Sequence, residues 1–239
     1  SGTGLSGGAL PHAEGVLVVT SKMRAITSVR REDQRAVVEP GVINLDLSTE
    51  TRPLGFHFAP DPSSQSASSI GGNVANNSGG PHCLASGVTS AHVLALEVVL
   101  PDGEVALLGG LDPEPAGYDL RGAFVGSEGT LGIATRIAVR LMPDPPEIRT
   151  LLADFTAIDD AAAAVSAVIA AGIVPAAMEM MDARATRAVE DFVGAGLPRD
   201  ADAVVQRHVE RAVLREQAFV AVEARHVDLR LPGGAERDR

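Results

Sequence analysis

Aromatic residues are nearly missing from this chain: they make up 3% of 239 residues, with no Trp and one Tyr. Its core must therefore be built from Ala, Val, Leu and Ile, and it lacks the stacking platforms that grip single-stranded nucleic acid. Positive charge is short as well, 20 Lys and Arg against 31 Asp and Glu for a net charge of -11. A surface of that sign repels a phosphate polymer, so no nucleic-acid partner is expected. A single cysteine, Cys83, excludes an intramolecular disulfide and a cysteine-based zinc site, and no metal site is expected. No apolar run reaches 18 residues and no basic-then-apolar leader is present, so no membrane span is expected and a cytoplasmic location is the default.

Hydrophobic residues make up 45% of the chain, enough for a sizeable core. Short β-branched runs bounded by turn residues predict strands at Val16–Thr20, Ala36–Glu39, Val93–Leu100, Val105–Leu108 and Ile133–Leu141. Pro101-Asp102-Gly103 between two of them predicts a hairpin turn. Three prolines in Pro143-Asp144-Pro145-Pro146 mark a boundary, which predicts one domain over 1–145 and a second from 146. Beyond it the pattern reads strand (Leu151–Phe155), Ala-rich helix (Ile158 to Ala171), strand (Pro175 to Met181) and helix (Asp182 to Phe192), half of a split α/β sandwich over 146–205. From Gln206 to Arg239 there are seven Arg against six acidic residues, where Leu151–Val205 has three against nine. That stretch, 206–239, is left unassigned, with a disordered or frame-shifted tail as the expectation. Val209, Ala212 and Val213 in it match a helical stripe.

Three segments mix glycine with small hydroxyl and amide side chains. The first, Gly2-Thr3-Gly4-Leu5-Ser6-Gly7, satisfies G-x-G-x-x-G, but a Rossmann loop must open a helix and here an apolar strand pattern follows within a few residues. The second runs from Pro60 through Ser68-Ser69-Ile70-Gly71-Gly72-Asn73 to Gly80, and the third is Gly126-Ser127-Glu128-Gly129-Thr130-Leu131-Gly132-Ile133. Glycine allows close backbone approach, and successive N–H groups in such loops hold a pyrophosphate without basic residues. Residues 1–8 and 60–80 contain no Lys or Arg. A Gly-rich β protein whose loops are only turns remains the plain alternative.

These segments, with His92-Val93-Leu94-Ala95-Leu96-Glu97-Val98-Val99-Leu100-Pro101-Asp102-Gly103-Glu104-Val105, resemble in order and spacing the FAD-binding domain of the vanillyl-alcohol oxidase (PCMH-type) family, in its glycolate oxidase and D-lactate dehydrogenase branch. The likeness continues through Ile173-Val174-Pro175-Ala176-Ala177-Met178-Glu179-Met180-Met181-Asp182 and covers residues 1 to about 205. It implies an α+β fold: an FAD-binding domain of two α/β subdomains, short of its first strands, then the first half of a ferredoxin-like cap. The chain thus reads as internal to a longer sequence.

Carried over by motif, Ser1, Gly2, Thr3, Gly4, Gly7 and Gly8 belong to the pyrophosphate loop. Pro62, Ser63, Ser64, Ser68, Gly71 and Gly72 line the flavin and its phosphates, followed by Asn76, Asn77, Ser78 and Gly79. Glu128, Gly129, Thr130, Gly132 and Ile133 hold the adenine-ribose or flavin side. Asn76 and Asn77 as turn caps, and Glu128 as a surface charge, are the competing readings. Covalent flavin attachment through His82 or Cys83 is not expected, because the sequence offers neither an activating partner. His12, His57 and His92 read as structural.

The implied activity is oxidation of a small 2-hydroxy acid, glycolate or D-lactate, to the 2-oxo acid. A base takes the hydroxyl proton, the α-hydrogen passes as hydride to FAD, and electrons go on to a partner subunit or quinone. No catalytic residue is assigned, since the His-rich motif of the family does not occur here and Ala85, Ser86 and Ala95 replace residues usual in it. The chain alone is therefore expected not to turn over. A non-catalytic flavin-binding remnant, or a structural subunit without FAD, are the alternatives.

Overall fold

The computed structural model describes residues 1–111 and 117–210. The chain divides into two compact units, Ser1–Asp144 and Pro145–Arg239. The first contains strands β1 (Ile26–Arg30) and β2 (Arg35–Val38), helix α1 (Asn44–Thr51), β3 (Phe56–His57), helices α2 (Ile70–Asn76) and α3 (Cys83–Ser86), β4 (Val93–Val99), β5 (Val105–Gly109), helix α4 (Leu120–Phe124), β6 (Ile133–Arg140) and β7 (Met142–Pro143). Five strands form an antiparallel sheet in the order β1-β2-β6-β4-β5. The β4–β5 hairpin closes as its turn predicts: Gly103 has φ 87° and the Leu100 N–H donates to the Glu104 carbonyl at 2.8 Å.

One core holds this unit together. Val38, Val93, Leu96, Val98, Ile137 and Val139 of the sheet meet Leu47 of α1, Ile70 and Val74 of α2 and Phe124 of α4. Each fully buried aliphatic side chain contributes about 1.5–3 kcal/mol over an exposed one. α1 ends at Arg52-Pro53, where proline cannot continue it. Its first N–H groups are taken by a turn later in the chain, within the second glycine segment, Asn44 donating to Ser68 O at 2.9 Å and Leu45 to Gln65 O at 3.1 Å.

Three expectations fail here. Val16–Thr20 is not a strand. Val16, Leu17, Val18 and Val19 are 59–92% exposed, and among the described residues no strand lies alongside to accept their backbone bonds, which β propensity cannot replace. Ile70–Asn76, read within a glycine-rich loop, is a helix, because Ile70 and Val74 share the face buried in the core and Ser69 Oγ caps its start at 3.3 Å from Gly72 N. Pro143 also does not end the strand pattern: it pairs with Phe56 in the two-residue ribbon β3–β7.

The second unit runs β8 (Ile148–Phe155), α5 (Ile158–Ala170), β9 (Ala177–Asp182), α6 (Ala183–Val193) and β10 (Ala203–Glu210), with an antiparallel sheet ordered β8-β10-β9. Asp159 and Asp160 in the first turn of α5 favour its N-terminus, and Gly172 with φ 74° follows its end. Asp182 Oδ1 caps α6 at 2.7 Å from Ala185 N. Phe155, Ala161, Ala164, Ala203 and Val205 form the core.

The central strand is the one not expected. β10 runs straight through Gln206, which pairs with Leu152 on one side and Glu179 on the other. Val209 is therefore in a strand and not in a helical stripe, because β8 beside it supplies a ladder that local pattern does not record. Ala212, Val213 and the remainder of 211–239 lie outside the described residues. The mixture of sheets and helices is the α+β class expected.

His92 links core and chemistry. It is 3% exposed, lies edge-on to Phe58 with ring centroids 6.2 Å apart, and donates through Nε2 to the Ser86 carbonyl at 2.8 Å. Burial holds its pKa below the ordinary histidine value, the Ser86 carbonyl opposes this, and Arg140 and His57 reinforce it. The imidazolium is thus less favourable folded than unfolded. Stability is full above the unfolded pKa of about 6.5 and falls as pH drops through it towards the lower folded value. Urea midpoints should decline between about pH 7 and 5.5, and the decline should be smaller in His92→Gln; equal slopes would contradict this role.

Candidate cofactor site

The three glycine segments meet around the end of α2. Asn77 leaves the helix in the left-handed region, φ 47°, and its Oδ1 accepts from Ser90 N–H at 2.8 Å. The third segment is fastened to the last turn of α2: Gly126 N–H donates to Val74 O at 2.8 Å and Glu128 N–H to Ala75 O at 2.9 Å. The first segment reaches both. A methyl group placed on Gly4 would lie 3.5 Å from Asn76 Oδ1, and one on Gly8 would lie 3.4 Å from Glu128 Oε2. Gly4, Gly8, Asn76, Asn77 and Glu128 are thereby brought together. Glu128 has φ 54°, a conformation that costs a side-chain-bearing residue about 1–2 kcal/mol, and such strain concentrates at ligand sites.

The Pro60–Ser69 turn is placed differently. Its bonds run to α1, with Asn44 Nδ2 donating to Pro60 O at 2.8 Å, and Ser63 on it is exposed. It joins the Asn76–Gly80 stretch through Asp61, which packs its carbonyl against Gly80 and accepts from His82 Nδ1 at 2.5 Å. His82 therefore has a carboxylate partner, distant in sequence, that the local pattern does not disclose. Cys83 Sγ accepts from Gly80 N–H at 2.9 Å and fills the space beside Gly79. Ser1, Gly2, Thr3, Gly129 and Thr130 are exposed, and Ser78 O accepts from Thr89 N–H at 3.0 Å.

Some glycines answer to the protein itself. A methyl on Gly71 would lie 2.6 Å from Pro40 Cβ, and one on Gly132 2.7 Å from Val99 O. Ile133, beside it, opens β6 opposite Val99. Gly72 has more room, with Ser69 Oγ at 3.3 Å.

Buried polar atoms without partners test the fit to a cofactor. Of seven such atoms among the described residues, four belong to these segments: Ser68 Oγ, both amide atoms of Asn73, and Ser127 Oγ. An unpaired buried polar group costs about 1–3 kcal/mol, so their concentration here fits a place completed by a polar ligand. Asn73 and Ser127 are not found from the sequence. With Ile70–Asn76 read as a loop, nothing shows that Asn73 points inwards beside Val74. Neutral donors, glycines and an absence of Lys and Arg suit a dinucleotide held by backbone groups.

Comparison with known proteins agrees. A model described as the FAD binding domain matches residues 1–109, and one described as the C-terminal domain of FAD linked oxidases matches residues 144–225. These matches place an FAD binding domain and part of the C-terminal domain of FAD-linked oxidases in the chain. Its likeness to them runs past residue 205, so the change in composition at Gln206 is not where the family pattern stops. The glycolate oxidase subunit GlcD of Escherichia coli K12 is 49% identical over 205 residues, spanning 86% of this chain and 41% of that protein. The Bacillus subtilis subunit is 46% identical over 206 residues, 86% of this chain and 44% of its own. A D-lactate dehydrogenase of Anaerostipes hadrus is 34% identical over 80% of this chain and 40% of its own. The chain thus spans about two fifths of the length of these relatives. A structure of alkyldihydroxyacetonephosphate synthase overlays 80% of this chain and 37% of its own with a TM-score of 0.69 at 20% identity, a likeness of fold. No helix among the described residues is long and apolar enough to cross a membrane.

Gly71→Ala should lower stability by about 1–3 kcal/mol in urea unfolding of the cofactor-free chain, because Pro40 has little room to retreat. Unchanged stability would leave the ligand as the reason for this glycine.

Proposed function

We propose that this chain is the FAD-holding part of an enzyme that oxidises a small 2-hydroxy acid, glycolate or D-lactate, to the 2-oxo acid. The observation that supports it most is the meeting of three glycine segments at the end of α2, in a chain whose relatives include glycolate oxidase subunits and D-lactate dehydrogenases. In this reading Ser1, Gly2, Thr3, Gly4, Gly7 and Gly8 present backbone N–H groups and a hydroxyl to the pyrophosphate. Pro62, Ser63, Ser64, Ser68, Gly71, Gly72 and Asn76 to Gly79 line the flavin side, with Asn73 and Ser127 added by their unpartnered atoms. Glu128, Gly129, Thr130, Gly132 and Ile133 flank the same ligand. A carboxylate beside a phosphate without a cation is unfavourable, so the Glu128 side chain faces a hydroxyl or amino group of the ligand.

FAD, when bound, accepts the hydrogen and two electrons taken from the substrate carbon. The residues of this chain orient it and replace its water with fixed dipoles. An electron-accepting subunit or quinone completes the cycle in this proposal. A cytoplasmic location belongs to it too, consistent with a chain that has one cysteine and so no internal disulfide.

Gly4→Val tests the reading on an exposed segment, where a Cβ meets Asn76 at ordinary contact distance. FAD fluorescence should be quenched on titration into the wild-type chain, and the affinity should fall at least roughly tenfold in Gly4→Val with its melting temperature unchanged. The mass of any cofactor released from purified protein should be that of FAD. A nicotinamide dinucleotide, or FMN alone, would overturn the assignment.

A further inference from the structure

We propose that Asp61 and His82 form a clasp that joins two of the cofactor segments and masks the Asp61 charge, so that FAD affinity, and not folding, depends on the pair. The inference rests on the FAD reading above. Asp61 stands immediately before Pro62-Ser63-Ser64, and His82 immediately after Gly79-Gly80-Pro81. The imidazole Nδ1 donates to Asp61 Oδ2 at 2.5 Å, and the His82 backbone N–H reaches the other carboxylate oxygen at 3.5 Å. The intervening turn is built to deliver His82 there. Gly80 lies so close to the Asp61 carbonyl that no side chain fits, while Cys83 N–H donates to Gly80 O at 3.1 Å and Cys83 Sγ accepts from Gly80 N–H at 2.9 Å.

Neither residue belongs to the hydrophobic core of its unit, and their side chains are 20% and 40% exposed. Ion pairs this open add little to folding stability. Their effect is local: two irregular segments that would otherwise order separately on ligand binding are already joined. Electrostatics adds a second effect with a definite sign. The segments 1–8 and 60–80 hold no Lys or Arg, so a bare Asp61 carboxylate would oppose an anionic dinucleotide with nothing nearby in these segments to offset it. The His82 N–H takes up that carboxylate and lowers its field towards the ligand. Removing the histidine and removing the charge are therefore unequal perturbations.

The test is a double-mutant cycle on FAD affinity in the full chain, read by quenching of FAD fluorescence, with urea midpoints as a control on folding. His82→Gln should weaken FAD binding about tenfold, the order of effect of one uncompensated charge in a partly exposed site. Asp61→Asn should stay within about threefold of wild type, and Asp61→Asn/His82→Gln should recover most of the loss, with midpoints little changed. A His82→Gln chain that binds like wild type overturns the proposal. So does a double variant no better than His82→Gln, which would make the pair a matter of packing alone. If His82→Gln does not fold while the double variant does, charge masking is still supported but the claim that folding is spared is overturned; if both fail, the whole proposal is. Wild-type chain that takes up no FAD removes the functional reading and this one together, whereas normal wild-type binding with no coupling removes only the clasp.

Discussion

Two main-chain hydrogen bonds, from Gly126 N–H to Val74 O and from Glu128 N–H to Ala75 O, carry the arrangement of the cofactor segments. The last carbonyls of any helix have no partner within it. Here Ser78 N–H, just past the helix, takes Asn73 O, and the third glycine segment takes the next two. Val74 is itself 1% exposed in the core, so the chain of support runs from the five-stranded sheet, through α2, to Glu128 and on to Gly8. The glycine segments are irregular, but the surface on which they rest is among the best-packed parts of the unit.

That support matters because the glycine segments hold no Lys or Arg. Arg and Lys can find a phosphate by flexible reach, whereas N–H groups of a loop must already point at it. In the proposed site such groups are sensitive to the exact path of the main chain, and left-handed Asn77 and Glu128, the glycine contacts and the Asp61–His82 pair all fix that path. The same lack of cations makes each nearby carboxylate consequential. Asp61 is engaged by His82, and in the proposed site Glu128 suits a hydroxyl or amino group better than a phosphate.

The second unit shows how pairing overrules local signals. α5 and α6 are legible from their ends: acidic residues at the start of one, Asp182 capping the other, and Gly172 and Gly194 after their last turns. β10 is not, because Ala203-Val204-Val205 is a short apolar run followed by charged residues, and its place between β8 and β9 comes from two neighbours remote in sequence. Val16–Thr20 is the reverse case, a run with strand propensity and no partner to pair with among the described residues.

The sequence by itself determined the small-residue composition of the glycine segments and most strands of the sheet that carries them. Glycine with Ser, Thr and Asn, and no basic residue, fits the backbone recognition of an anionic ligand proposed above, and β-branched runs between turn residues specify β2, β4, β5 and β6. Only the tertiary structure decided which residues meet. Asn76 beside Gly4, Glu128 beside Gly8 and Asp61 on His82 are contacts between segments far apart along the chain, and the inward turn of Asn73 follows from burial of one face of α2. Composition and local periodicity record what a segment can do alone, whereas these contacts depend on the register and packing of elements around a shared core.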